Sequence, residues 1–155
     1  MNSALTFTGS PYTSFMHETK VTLSNGIELH VEIGGQPEHP VIMLIMGLGA
    51  QLLFWPDFFC KSLIDQGYRV IRFDNRDIGL SSKIRHSGPR LNTFKLMGRF
   101  ALGLENQGAP YNLYDMAEDA ALLIDHLELD NVSVLGASMG GMIAQILAAK
   151  HPQKV

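Results

Sequence analysis

Apolar and polar residues fall into blocks whose spacing changes along the chain. Residues 21–23 and 27–33 carry period-two patterns, with Leu29, Val31 and Ile33 on one face and His30 and Glu32 on the other, the spacing of β-strands. Ser24-Asn25-Gly26 separates them. Asn-Gly between apolar alternations predicts a hairpin, because both residues tolerate positive φ. Gly34-Gly35-Gln36-Pro37 ends the second strand. Residues 41–46 are continuously apolar, as in a parallel strand covered on both faces. The pattern then predicts a helix over 54–66 with Gly67 as its C-cap and a buried strand over 69–73 that ends at Asp74. Asn112, with Asp115 three residues on, reads as a capping-box variant. It opens a helix whose apolar stripe is Met116, Ala120, Leu123, Ile124 and Leu127. A strand over 132–135 and a helix over 139–150, which Pro152 bars from continuing, complete the series. Residues 1–19 read as an irregular arm. Residues 75–111 form one long excursion at the edge of the site, with enough apolar residues over 94–104 for a short helix.

A hairpin followed by three strand–helix repeats predicts an α/β fold: a mostly parallel open sheet with helices on both faces, in a single domain over 1–155. Hydrophobic content of 46% and charged content of 17% suit a globular chain. The net charge of −3 comes with no basic run, so neither nucleic acid nor an anionic membrane is an expected partner. The longest apolar run is far too short to span a bilayer. No secretory signal is visible, and the single cysteine precludes an internal disulfide, so a cytoplasmic setting is expected. Cys60, beside Phe58 and Phe59, reads as a packing thiol. No metal-ligand spacing and no phosphate-cradling G-x-x-x-x-G-K occurs, so neither metal nor cofactor is expected.

The run Gly136-Ala137-Ser138-Met139-Gly140-Gly141, set between a predicted strand and a predicted helix, has the G-x-S-x-G pattern of a nucleophile elbow. Side chains at Gly136 and Gly140 would collide with the neighbouring strand and helix. Met46-Gly47-Leu48-Gly49 follows the third strand, and Asp74-Asn75-Arg76-Asp77-Ile78-Gly79-Leu80-Ser81 the fourth. With these motifs in this order, the chain resembles the N-terminal half of the α/β-hydrolase fold in its esterase-like branch, near the aclacinomycin methylesterase-type hydrolases. The resemblance covers nearly all of 19–155.

It implies sheet order 1-2-4-3-5 and a serine hydrolase acting on a carboxylic ester or a related acyl or carbon–carbon substrate. Ser138 would be the nucleophile, the N–H groups of Met139 and Leu48 the oxyanion hole, and Met46, Gly47 and Gly49 the substrate-binding loop. With that order, right-handed crossovers put a ligand crevice between strands three and five. Serine rather than aspartate at the elbow argues against the dehalogenase and epoxide-hydrolase branches. Esterase and perhydrolase stay open. The resemblance often has His-Gly where this chain has Met46-Gly47, so less hydrogen bonding is expected to steady that loop. It also places the acid and histidine of the triad after the elbow, beyond Val155, so the isolated chain is expected to be inactive. His151 lies thirteen residues beyond Ser138, roughly 20 Å along a helix. His126 and His30 fall at the wrong places in the sheet, and only His86 starts from the correct edge. Asp74 reads either as a catalytic acid or, with Arg76, as a turn network. Asp119 and Asp125 read as solvated. Met46 and Met139 are expected to face the pocket, and residues 94–100 either to roof it or to form a surface helix. Ser138 as a plain N-cap is the bland alternative. A different class of reading is a truncated, non-catalytic fragment or interaction module. It would expose Val132, Val134 and Leu135 at an open sheet edge and form a homodimer, or be completed by a C-terminal chain.

Overall fold

The structure, a computed structural model, describes residues 15–84 and 110–155; the expectations for 94–104 and His86 fall outside them. Strands β1 (Met16–Thr22) and β2 (Glu28–Gly34) pair antiparallel, with Thr19 opposite Val31 and Val21 opposite Leu29. β1 thus begins inside the stretch expected to be an irregular arm. Its apolar residues do not alternate because the strand buries both faces in turn: Met16 lies in one core and Val21 in the other. At the turn only Gly26 takes positive φ, 84°. Asn25 contributes its side chain instead, accepting from the Ile27 amide and donating to Asp119 Oδ1 at 2.8 Å.

β3 (Val41–Ile45) leads to a short 3-10 turn (Leu52–Phe54) and then to α1 (Asp57–Asp65). The expected single helix is interrupted because Pro56 disfavours a helical residue before it, and Trp55 is extended at φ −80°, ψ 104°. Gly67, at φ 85°, donates to the Ile64 carbonyl and closes α1. β4 (Arg69–Phe73) follows. α2 (Leu113–His126) opens on a complete capping box: the Asn112 side chain accepts from the Asp115 amide, and Asp115 accepts from that of Asn112. β5 (Ser133–Gly136) and α3 (Met139–Lys150) are the last elements of the described chain.

The sheet order is β1-β2-β4-β3-β5. β3 is parallel to both β4 and β5, and β2 is antiparallel to β4. Alternate strand residues feed two cores. Met43, Ile45, Ile71 and Phe73 pack with α2 and α3, whereas Leu44 and Val70 pack with Cys60 of α1. Helices therefore cover both faces, burying the apolar strands as a parallel sheet requires.

Arg72 stands fully buried on the α1 side, bonded to its register partner Glu32 at 2.9 and 2.6 Å and to Asp57 at 2.8 Å. Burial alone would lower its pKa, but the Glu32 bonds and charge outweigh that and raise it. The Cys60 thiol lies against Arg72 at 3.8 Å, and burial pushes its pKa up. β5 is an edge strand of this sheet, with Leu135 42% exposed. Val132, expected at that edge, is buried, and its amide donates to the Lys154 carbonyl. No helix among the described residues is long and apolar enough to cross a membrane.

Candidate active site

Only Ala137 and Ser138 separate the end of β5 from the start of α3, so the chain must turn sharply. Ser138 adopts φ 55°, ψ −122°, a conformation that costs a non-glycine residue about 1–3 kcal/mol. Two backbone approaches impose it. A Cβ on Gly136 would overlap the Gly140 carbonyl, and a Cβ on Gly140 would overlap the Ile45 carbonyl at the end of β3. Rotamer changes cannot relieve backbone overlaps, which is why both positions hold glycine. Ser138 sits at the N-cap position but makes no side-chain cap bond, and it is exposed. A plain capping serine would bond the amide of N2 or N3.

β3 and β5 are neighbours, with Ile45 opposite Gly136. The Ala137 amide donates to the Ile45 carbonyl at 3.0 Å, carrying the ladder one residue past the strand. The loops at 46–52 and 137–139 therefore leave the sheet side by side. α1, after β3, packs on one face and α3, after β5, on the other, so the loops flank a switch crevice. Gly47 lies against the serine: a Cβ there would stand 3.1 Å from Ser138 Cβ and 3.5 Å from Oγ. Its carbonyl accepts from the Ala50 amide at 3.3 Å. In a planar trans peptide the N–H opposes the C=O, so that bond turns the Leu48 N–H away from Ala50. Among the described residues, neither the Leu48 nor the Met139 amide donates to a protein acceptor. The Leu48 side chain is 55% exposed, and Gly49 turns the loop at φ 71°. Met46 is buried, and Met139 is half-buried against the larger core.

The turn after β4 supports this loop. Asp74 is buried and accepts from the Leu52 amide at 2.8 Å, the Leu80 amide at 3.0 Å and His30 Nδ1 at 3.1 Å. Its carboxylate fills the space a Cβ on Gly79 would need. Ser81 Oγ accepts from the His30 amide and donates to the Asp74 carbonyl. Asp74 is thus a turn organiser, although Arg76 works elsewhere. Arg76 bonds Asp119 of α2 at 2.7 and 2.6 Å and lies over the Tyr111 ring. Asp119, expected to be solvated, is only 2% exposed. The signal was available: it lies three residues after Met116 and four before Leu123, on the apolar stripe. Asp125 is exposed and bonded to Lys154. The pattern gave no sign of Asn75, whose Nδ2 donates to the Met46 carbonyl at 3.0 Å.

His30 is buried between Asp74 and Glu18, which lies 2.9 Å from its Nε2. Burial works to lower its pKa, but the bond and charge of Asp74, then of Glu18, outweigh it and raise the pKa above 6.5. Burial likewise works to raise Asp74, but bonds from His30, Leu52 and Leu80 hold it below 3.8. A raised folded pKa contributes stability below the unfolded value, and that contribution is lost as pH rises through the folded value. A depressed one contributes above the unfolded value and is lost as pH falls through the folded value. Urea midpoints should therefore decline as pH rises above 6.5, and His30→Gln should flatten that decline. An unchanged slope in the variant would assign it to another group. His151 bonds Glu118 on α2, so neither it nor His30 is committed to Ser138.

A family model of the alpha/beta hydrolase fold matches residues 40–155. The chain is 30% identical over 137 residues to rhodomycin D methylesterase DnrP of Streptomyces peucetius, covering 88% of this chain and 39% of that protein. It is 31% identical over 133 residues to the human serine hydrolase BPHL, covering 84% of this chain and 38% of that protein. The solved structure of a hydrolase from Pseudomonas aeruginosa PA01 is similar at TM-score 0.67 and 28% identity, covering 88% of this chain and 42% of that one. The chain thus spans about two-fifths of the length of each of these proteins. Sheet order, the tight turn at Ser138 and a match over most of these residues agree: the chain belongs to the alpha/beta hydrolase fold family.

Proposed function

We propose that this chain carries the nucleophile and oxyanion hole of a serine hydrolase acting on a carboxylic ester or a related acyl substrate. The observation that carries the reading is the strained, exposed Ser138, held between Gly136 and Gly140 and facing Gly47. Methylesterase activity in the name of one relative, and serine hydrolase in that of another, support an acyl substrate and a serine nucleophile.

In this mechanism Ser138 Oγ attacks the acyl carbon and its proton passes to a general base. The Oγ–C bond forms as the carbonyl electron pair moves onto oxygen. The oxyanion is held by the amides of Met139 and Leu48, each such donor contributing ~2.7–4 kcal/mol to the transition state. The N-terminus of α3 adds a favourable dipole. Collapse expels the alcohol, which takes the proton back from the base. Water, deprotonated by the same base, then attacks the acyl carbon; the C–Oγ bond breaks, the acid leaves, and Ser138 Oγ takes the proton back from the base. The base and its orienting acid belong, in this reading, to residues other than those described, in the same polypeptide or a complementing one.

Fluorophosphonate labelling with peptide mapping tests the proposal. The adduct is expected on Ser138, forming slowly in the 155-residue chain alone and quickly once a polypeptide supplying the base completes the site. An adduct on another residue would move the chemistry elsewhere. Fast labelling of the chain alone would put the base within these 155 residues, with His86 the first candidate.

A further inference from the structure

We propose that Asn75 is a positioning residue for the oxyanion loop, holding the Met46 carbonyl so that the next peptide presents the Leu48 amide beside Ser138. This rests on the serine-hydrolase reading and deepens it.

The loop from Met46 to Leu52 is held at both ends by consecutive residues of one turn. Asn75 Nδ2 donates to the Met46 carbonyl at 3.0 Å, and Asp74 Oδ1 accepts from the Leu52 amide at 2.8 Å. Both side chains are buried. Between the two anchors the loop is held by the Ala50–Gly47 bond and by Gly47 packing on the turn at Ser138. Leu48 and Gly49 are exposed, and a Cβ on Gly49 would meet nothing within 4 Å.

Each peptide plane has its own restraint. The Asn75 bond sets the Met46–Gly47 plane, and the Ala50 amide sets the Gly47–Leu48 plane. Because each plane is rigid, only φ and ψ of Gly47 lie between the two restraints. Gly47 alone could swing widely, since glycine populates both signs of φ. Its packing against Ala137 and Ser138 limits that swing only while the Met46 carbonyl stays in place. The turn after β4 is itself rigid, with the Ile78 amide donating to the Asn75 carbonyl at 3.0 Å. Asn75 therefore transmits the position of β4 to a donor it does not touch. It supplies the support that Met46, in place of a hydrogen-bonding residue, does not give.

Losing one oxyanion donor outright typically costs 10²–10³-fold in kcat, and displacing it costs less. In the protein completed by the polypeptide that supplies the base, Asn75→Ala should lower kcat for p-nitrophenyl acetate by about 10- to 100-fold, with KM within about twofold. The affinity for a trifluoromethyl ketone should fall in parallel, because its tetrahedral adduct places an oxyanion in the same hole. Asn75→Leu, which keeps the shape but removes the donor, should behave the same way. It decides the matter should the alanine variant fail to fold. Unchanged kcat and unchanged inhibitor affinity in a folded variant would overturn the positioning role, as would a lower melting temperature without either loss. Ser138→Ala, assayed alongside, separates the two ideas. Turnover surviving in that variant would sink the serine reading and this proposal with it. Turnover lost there but intact in the Asn75 variants would sink this proposal alone.

Discussion

In the protein completed by the polypeptide that supplies the base, replacing Ser138 by alanine should abolish ester turnover, by at least about 10⁴-fold, while leaving the fold intact. The two halves of that expectation have separate grounds. The hydroxyl makes no cap bond, so its removal costs the helix no cap. Alanine meets the same backbone penalty as serine at φ 55°, so the strain is unchanged. Stability should stay within about 0.5 kcal/mol, measured by urea denaturation. Retained turnover would place the chemistry at another residue. A folded variant with no turnover would match a nucleophile removed from an otherwise complete cradle.

Asp119→Ala should be the most damaging of the stability variants considered, by about 3–5 kcal/mol, because it strands a buried guanidinium. Asp119 accepts two bonds from Arg76 and one from Asn25. Burial would pull the Arg76 pKa down, and the Asp119 bonds reverse this and raise it. Removing the carboxylate leaves the burial cost unopposed. It also frees the hairpin turn from α2. Against the 5–15 kcal/mol typical of a domain, that is a large fraction. The double variant Arg76→Met/Asp119→Leu should recover much of the loss, since apolar replacement of a buried pair is often nearly neutral. A single-variant loss below about 1 kcal/mol in urea would mean that water reaches the pair.

Where structure is local, the residue pattern is readable. The tight strand-to-helix turn at Ser138 needs glycines at fixed offsets, and all of them lie within six residues. The Asn112 cap, β4 and α3 are local in the same sense. What was not readable depends on partners distant in the chain. β1 hides its first residues because Met16 and Val21 serve opposite faces of the sheet. The Asn-Gly pattern signals a turn, whereas Asn25 is also a tether across 94 positions to Asp119. The charge of Asp119 suggests a solvated face, but its place on the stripe buries it against Arg76. Asn75 could not be found without the fold: only the pairing of β3 with β4 brings its amide to Met46.

The Ile45–Gly136 pairing has a consequence for how such a site could diversify. The two loops depart from adjacent rungs of a parallel ladder, so the gap between their first peptides is inherited from the interstrand repeat, about 4.8 Å in any sheet. That starting gap is a lattice constant of the scaffold, whereas the path of the loop beyond it depends on side chains such as Asn75. Substitution of the exposed Leu48, Leu53, Phe54 or Leu80 can change the surface the chain presents without altering that spacing.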